Sequence, residues 1–139
     1  MAHSFHVLII GCGIGGLTLA QGLKQAGISA AVYERDRTVN DRLQGYRVHI
    51  SPTGSVALHE CLPPHLFDAF DRTCGAPNMA VRFFTEQMRV LLAFEGDLVA
   101  SSDPIASHRA ASRITLRQVL LAGLDNVYFG RTFERYAAI

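Results

Sequence analysis

The feature that most constrains this chain is a glycine-rich turn set between an apolar run and a helical pattern. Val7-Leu8-Ile9-Ile10 leads into Gly11-Cys12-Gly13-Ile14-Gly15-Gly16, and a helical stretch follows as far as Gly27. Ser29-Ala30-Ala31-Val32-Tyr33 comes next and ends in Glu34-Arg35-Asp36. The short all-apolar run is what a parallel strand buried on both faces requires. Gly11 permits a tight turn off the strand end. Gly13 leaves no Cβ where an anion must approach the backbone, and Gly16 lets the new helix pack closely on the strand. The free N–H groups of the helix start, at Ile14 and Gly15, face that anion, aided by the helix dipole. Leu17, Leu19, Ala20, Leu23 and Ala26 recur at helical spacing, and Gly27 is a natural stop.

This strand, turn, helix and second strand together read as a grip for the diphosphate and ribose of a dinucleotide. Glu34 stands at the tip of the second strand, where a carboxylate accepts hydrogen bonds from both ribose hydroxyls. An acid there, rather than an arginine or serine, argues against a ribose 2′-phosphate. It favours FAD or NAD over NADP at this site, without separating FAD from NAD. Arg35, next to that acid, is a candidate to stack on an adenine ring. The bland alternative is a βαβ turn whose glycines serve packing alone. The placement decides against it: strand before, helix after, second strand and acid at the distance the fingerprint requires.

The rest of the composition bounds the answer. A chain of 139 residues predicts one domain. With 49% hydrophobic and 18% charged residues, it can bury a core and is not disordered. A net charge of +1 gives no field to attract nucleic acid or a membrane surface. No apolar stretch is long enough to span a bilayer. Met1-Ala2-His3-Ser4 runs straight into the first strand and leaves no room for a signal peptide, so a cytoplasmic location is expected. The three cysteines, Cys12, Cys61 and Cys74, fit neither a zinc site nor a redox pair. Cys12 reads as a small filler within the turn, in preference to a thiol activated by the helix N-terminus. The six histidines show no paired ligand spacing, and no metal site or catalytic histidine is assigned.

Further along, residues 37–44 form a polar loop, and Gly45-Tyr46-Arg47-Val48-His49-Ile50 reads as a short strand. Ser51-Pro52-Thr53-Gly54 starts a helix with Ser51 as cap and Pro52 in the first turn. Pro63-Pro64 ends it and opens another, His65 to Cys74, with Leu66, Phe67 and Phe70 inward. Residues 79–85 and 88–95 predict a hairpin joined tightly at Glu86-Gln87. Its apolar face needs another layer to pack on. Residues 96–107 read as a loop, and Ser112 to Leu124 as an amphipathic helix with Leu116, Val119, Leu120 and Leu124 buried. Val127-Tyr128-Phe129 reads as a short strand, and Phe133 to Ile139 as the start of another. Arg113, in the first turn of its helix, opposes the helix dipole, a mild hint that it meets an anion; from the residues alone a surface arginine is an equal alternative.

Several of these segments, in order, resemble the FAD-dependent class A flavoprotein monooxygenases, the aromatic hydroxylases related to para-hydroxybenzoate hydroxylase. They are Ile10-Gly11-Cys12-Gly13-Ile14-Gly15-Gly16-Leu17, Val32-Tyr33-Glu34-Arg35, Gly45-Tyr46-Arg47 leading into Ser51-Pro52-Thr53-Gly54, and Ser112-Arg113 with Leu116 and Leu120. The resemblance covers nearly all of this chain but only the N-terminal portion of such an enzyme. It implies an α/β fold: a Rossmann-like FAD-binding βαβ core with a parallel sheet, plus the hairpin at 79–95 as part of an incomplete substrate-domain sheet.

The resemblance also implies residue roles. Gly11, Gly13 and Gly16 would hold the FAD diphosphate, with Ile14 and Gly15 beside them. Glu34 would bind the adenosine ribose and Arg35 would lie near the adenine. Arg113 would approach the diphosphate or ribityl chain, and Arg117, one turn on, is a weaker candidate. Arg47 would sit close to the flavin, with Arg42 competing for that role. The implied chemistry is flavin reduction by NAD(P)H, then reaction with oxygen to hydroxylate or epoxidise a small organic substrate, aromatic or polyketide-like. The family's second FAD motif, a Gly-Asp segment, is absent from these 139 residues. The chain is therefore expected to be a truncated FAD-binding domain, inactive alone and completed by a complementary C-terminal part. The alternative is a non-catalytic module derived from such an enzyme, homodimeric or partner-binding. An NAD-dependent dehydrogenase half ranks last, since nothing after residue 36 supplies a hydride-transfer acid or base.

Overall fold

The computed structural model describes residues 5–39, 41, 46–75, 80–95 and 102–137. The glycine turn is built as its sequence demands. Strand β1 (His6–Ile10) passes through it into helix α1 (Ile14–Gln25), which returns the chain to strand β2 (Ser29–Tyr33). β1 and β2 pair in parallel from His6 opposite Ser29 to Ile10 opposite Tyr33. Helix α1 ends where glycine allows it: Gly27 has φ +68°, and the Ile28 N–H reaches the Leu23 carbonyl at 2.9 Å.

Strand β3 (Arg47–Ile50) leads to α2 (Pro52–Cys61) and α3 (Pro64–Thr73). Ser51 caps α2 by accepting the Gly54 N–H at 3.2 Å, and prolines occupy the first turn of both helices. Hairpin β4 (Ala80–Phe84) and β5 (Val90–Glu95) follows. Then come β6 (Arg109–Ser112), α4 (Arg113–Leu121) and β7 (Val127–Tyr128). β7 joins the first sheet parallel to β2, giving the order β1-β2-β7, and β6 pairs antiparallel with β3. The result is mixed α/β with a parallel βαβ sheet.

α1 is the central element, packed against β2 on one side and α2 and α4 on the other. Leu17 and Ala20 of α1 meet Ile9, Val32, Leu58, Leu116 and Leu120 in one core, which Phe67 and Phe70 of α3 extend. Gln21 is the polar exception. It is buried on the same helix, and its Nε2 donates to the carbonyls of Leu120 (2.8 Å) and Ala122 (2.9 Å) at the end of α4. Lys24 adds a hydrogen bond to the Gly123 carbonyl. These bonds satisfy carbonyls that a helix C-terminus leaves without partners.

The structure departs from the sequence expectations at several points. β1 is covered on one face only among the described residues: Ile9 is buried, but Leu8 is 61% and Ile10 54% exposed. Leu19 of α1 is also exposed, because Gln21 rather than a fifth apolar residue completes the inner stripe. β6 falls between the expected loop at 96–107 and the expected helix start at Ser112, where no strand was expected. Its Arg-Ala-Ala-Ser sequence carries no strand propensity and is held by pairing with β3. The hairpin connection is longer than Glu86-Gln87. The Thr85 hydroxyl accepts the N–H groups of Gln87 and Arg89, and Met88 takes φ 61°. Residues 131–137 form no strand. The hairpin itself stays outside the core, with Val81, Phe83, Leu92 and Phe94 on one exposed face. No helix among the described residues is long and apolar enough to cross a membrane.

Candidate functional site

A cavity of about 540 Å³ opens at the C-terminal ends of β1 and β2. Ile10 to Ile14 form its floor, Tyr33 to Asp36 and Val39 one wall, and Arg113, Ile114 and Arg117 the other. Crevices at the carboxyl ends of parallel strands are where this class of sheet binds ligands.

The glycines divide by job. Gly11 sits at φ +106°, a conformation that side chains rarely adopt. A Cβ on Gly16 would lie 2.1 Å from the Gly11 carbonyl oxygen and 3.3 Å from Ile9 Cγ2, so Gly16 is what lets α1 rest on the strand. Gly13 and Gly15 are different: a Cβ on either would meet nothing within 4 Å. Protein packing does not demand glycine at Gly13, which has ordinary φ −82° and ψ 179°. It caps α1 without any side-chain hydrogen bond, and the cavity lies directly over it. An open cradle that a methyl would intrude upon fits a bulky anion seated on the backbone. The residues present therefore fit the diphosphate of a dinucleotide.

Glu34 closes the turn from the second strand. Its Oε2 accepts the Cys12 N–H at 2.7 Å and its Oε1 the Asp36 N–H at 3.0 Å. Each oxygen retains acceptor capacity toward the cavity. Burial pushes the Glu34 carboxyl up, but the N–H groups of Asp36 and Cys12, the Arg117 charge and the Arg35 N–H outweigh it. The net effect holds Glu34 below its ordinary range, ionised and a ready acceptor. Cys12, 1% exposed, is the filler expected. Burial raises its thiol, against an opposing hydrogen bond and charge from Arg117.

The remaining expected residues separate. Arg35 lines the cavity and is exposed. Arg113 also lines it, from the first position of α4. That helix is capped by Ser112, which accepts the Thr115 N–H at 3.3 Å. Arg117 lines it too, but its bonds run to the protein. Nε donates to the Cys12 carbonyl at 3.1 Å and Nη1 to the Val39 carbonyl at 2.8 Å, with Phe129 beneath its guanidinium. Arg47 does not line the cavity. It begins β3 opposite Ser112 and lies over the Tyr46 ring. Arg42 and Gly45 lie outside the described residues.

One wall was missed entirely. Beyond β7, the Gly130 N–H donates to the Asp36 carbonyl and the Arg131 N–H to the Glu34 carbonyl, each at 2.8 Å. This pairing carries Arg131, Thr132 and Phe133 to the cavity rim. Gly130 hinted at a turn there, but nothing local reveals that the turn runs beside Glu34. A buried arginine was also unforeseen. Arg109 donates to Asp71 at 2.7 Å and to the carbonyls of Pro104, Ile105 and Ser107, which makes it structural.

Comparison with known proteins agrees with this geometry. Residues 9–74 match the family described as NAD(P)-binding Rossmann-like domain. The dual O-methyltransferase/FAD-dependent monooxygenase elcB of Phaeosphaeria nodorum is 33% identical over 132 residues, 94% of this chain and 14% of that protein. Among solved structures, one from Photorhabdus luminescens assigned as an FAD-containing monooxygenase superposes with a TM-score of 0.78 at 36% identity. The match covers 98% of this chain and 33% of that one. HpxO of Klebsiella pneumoniae, solved with FAD and uric acid, gives a TM-score of 0.65 at 25% identity, over 94% of this chain and 32% of that one. This chain thus spans about a third or less of the relatives it matches. Its fold and its relatives converge: over the region it spans, the chain has a Rossmann-like fold and is homologous to a portion of FAD-dependent monooxygenases.

Proposed function

We propose that the chain binds FAD by its adenosine-diphosphate end, as the cofactor-gripping portion of an NAD(P)H-dependent flavin monooxygenase. The observation that carries this reading is the open cradle at Gly13, flanked by the ionised Glu34 carboxylate on one side and Arg113 on the other. The backbone N–H groups at Gly13, Ile14 and Gly15 would meet the diphosphate. Glu34 would hold the ribose, Arg35 the adenine side, and Arg113 would neutralise phosphate charge. FAD, when bound, supplies the redox chemistry toward a small organic substrate, aromatic or polyketide-like, to be hydroxylated or epoxidised. The chain's own residues bind and orient it.

On this reading the cavity holds the nucleotide end of the cofactor, and turnover would draw on further protein. The exposed apolar face of the β4–β5 hairpin supports docking on such a further layer, from a longer polypeptide or a complementary chain. A homodimer covering the same face is the competing arrangement.

Titration of the chain with FAD, read by flavin fluorescence, tests the proposal. Saturable binding displaced by ADP but not by FMN is the expected result. FAD binding that ADP leaves untouched would place the grip elsewhere, and no binding would remove it.

A further inference from the structure

The Cys12 residue at the centre of the glycine turn is held at both of its backbone polar groups by side chains from distant elements. Its N–H goes to Glu34 of β2's tip at 2.7 Å, and its carbonyl receives Arg117 of α4 at 3.1 Å. The peptide joining Cys12 to Gly13 is planar and trans, so its carbonyl and its N–H point in opposite directions. Fixing the Cys12 carbonyl on Arg117 therefore fixes the Gly13 N–H facing away from Arg117. It also bars the flipped peptide, in which a carbonyl oxygen would turn from the guanidinium into the space an anion must occupy.

The same guanidinium reaches the Val39 carbonyl at 2.8 Å and rests on the Phe129 ring, with its centre 5.9 Å from the ring centroid. It thereby ties together three parts of the cavity: the turn, the segment after Glu34, and the strand end at β7. The rigid fork of arginine suits this task, since Nε and Nη1 serve two carbonyls at once. Arg117 is itself held in place. Gln21 and Lys24 of α1 fix the far end of α4 through the carbonyls of Leu120, Ala122 and Gly123. Leu116 and Leu120 bury its inner face. These contacts tie helix α4 to the helix that starts at the turn.

We propose that Arg117 is a positioning residue for nucleotide binding: it locks the turn's peptide in the anion-receiving orientation and acts through the backbone rather than on the phosphates. This rests on the cofactor-binding reading above. Arg113, by contrast, has no side-chain hydrogen bond or ion pair among the described residues and is placed to meet the ligand directly.

The test compares the chain with Arg117→Met and Arg117→Lys, using two readouts. The first is ADP affinity by calorimetry. The second is amide hydrogen exchange at Cys12, whose N–H is bonded to Glu34, in the nucleotide-free protein. Arg117→Met is expected to weaken ADP about tenfold or more and to speed exchange at that amide. Arg117→Lys keeps the charge but serves a single carbonyl, so it should fall between. If the methionine variant does not fold, the lysine variant carries the comparison against wild type. Weakened ADP binding with wild-type exchange rates would mean that Arg117 touches the anion itself, and would overturn the proposal. Unchanged affinity and exchange would overturn it as well. If the wild-type chain does not bind ADP, the cofactor reading fails separately, and the exchange rates alone decide whether Arg117 holds the turn.

Discussion

Single residues in this chain carry opposite kinds of necessity. Gly16 is required by the fold, because any Cβ collides with the Gly11 carbonyl. Gly13 is not required by packing, because a Cβ there would meet nothing within 4 Å. Gly16→Ala should therefore cost about 3 kcal/mol of stability in denaturant unfolding, since backbone must shift to admit the methyl. Gly13→Ala should cost under about 1 kcal/mol, the difference between glycine and alanine as a helix cap. It should nevertheless weaken FAD and ADP binding about tenfold or more. A Gly13→Ala protein that binds as well as wild type would separate the turn from the ligand.

Glu34 makes a second residue-scale prediction. Its folded pKa lies below the unfolded value, so its contribution to stability is fully present above about pH 4.3. That contribution is lost as pH falls through the lower folded value. The gap in urea stability between wild type and Glu34→Gln should be full at pH 7 and should close below about pH 4.3. A gap that persists into acid would show that the carboxylate's charge is not what the turn uses.

At the scale of elements, α1 and α4 behave as a pair. α1 begins at the glycine turn and α4 brings Arg113 and Arg117 to the cavity. Gln21 joins them by filling the two carbonyls at the end of α4. Gln21→Met preserves volume but strands those carbonyls in a buried place. It should cost about 1–3 kcal/mol in unfolding experiments, more than a surface change on the same helix. The sequence pattern made α1 legible as a helix but not this bond, because its partners lie some hundred residues away, 99 and 101 positions along the chain. The same blindness hid β6, which owes its form to β3, and the wall at Arg131 to Phe133, which owes its place to Glu34 and Asp36.

Over the whole molecule, what was legible was local. The turn, α1, β2 and Glu34 lie within one short stretch, where each residue's job follows from its neighbours, and their geometry is as the spacing required. For Arg113, which lines the cavity, the charge misfit in its own helix turn left two readings equal, and the resemblance chose between them. Arg47 was placed by resemblance alone, and it stands outside the cavity wall. The both-faced burial expected of β1 came from reading an apolar run as symmetrical. Its outer face leaves Leu8 and Ile10 more than half exposed among the described residues.

The two bonds of Arg117 span 105 and 78 positions of sequence. A ribosome delivers the strand, turn, helix and acid first, and only much later the side chain that fastens them. A nascent chain would therefore carry a recognisable but unlatched notch until α4 emerges. On the proposed reading, a firm grip on nucleotide would arrive abruptly, when α4 swings in to shut the clasp.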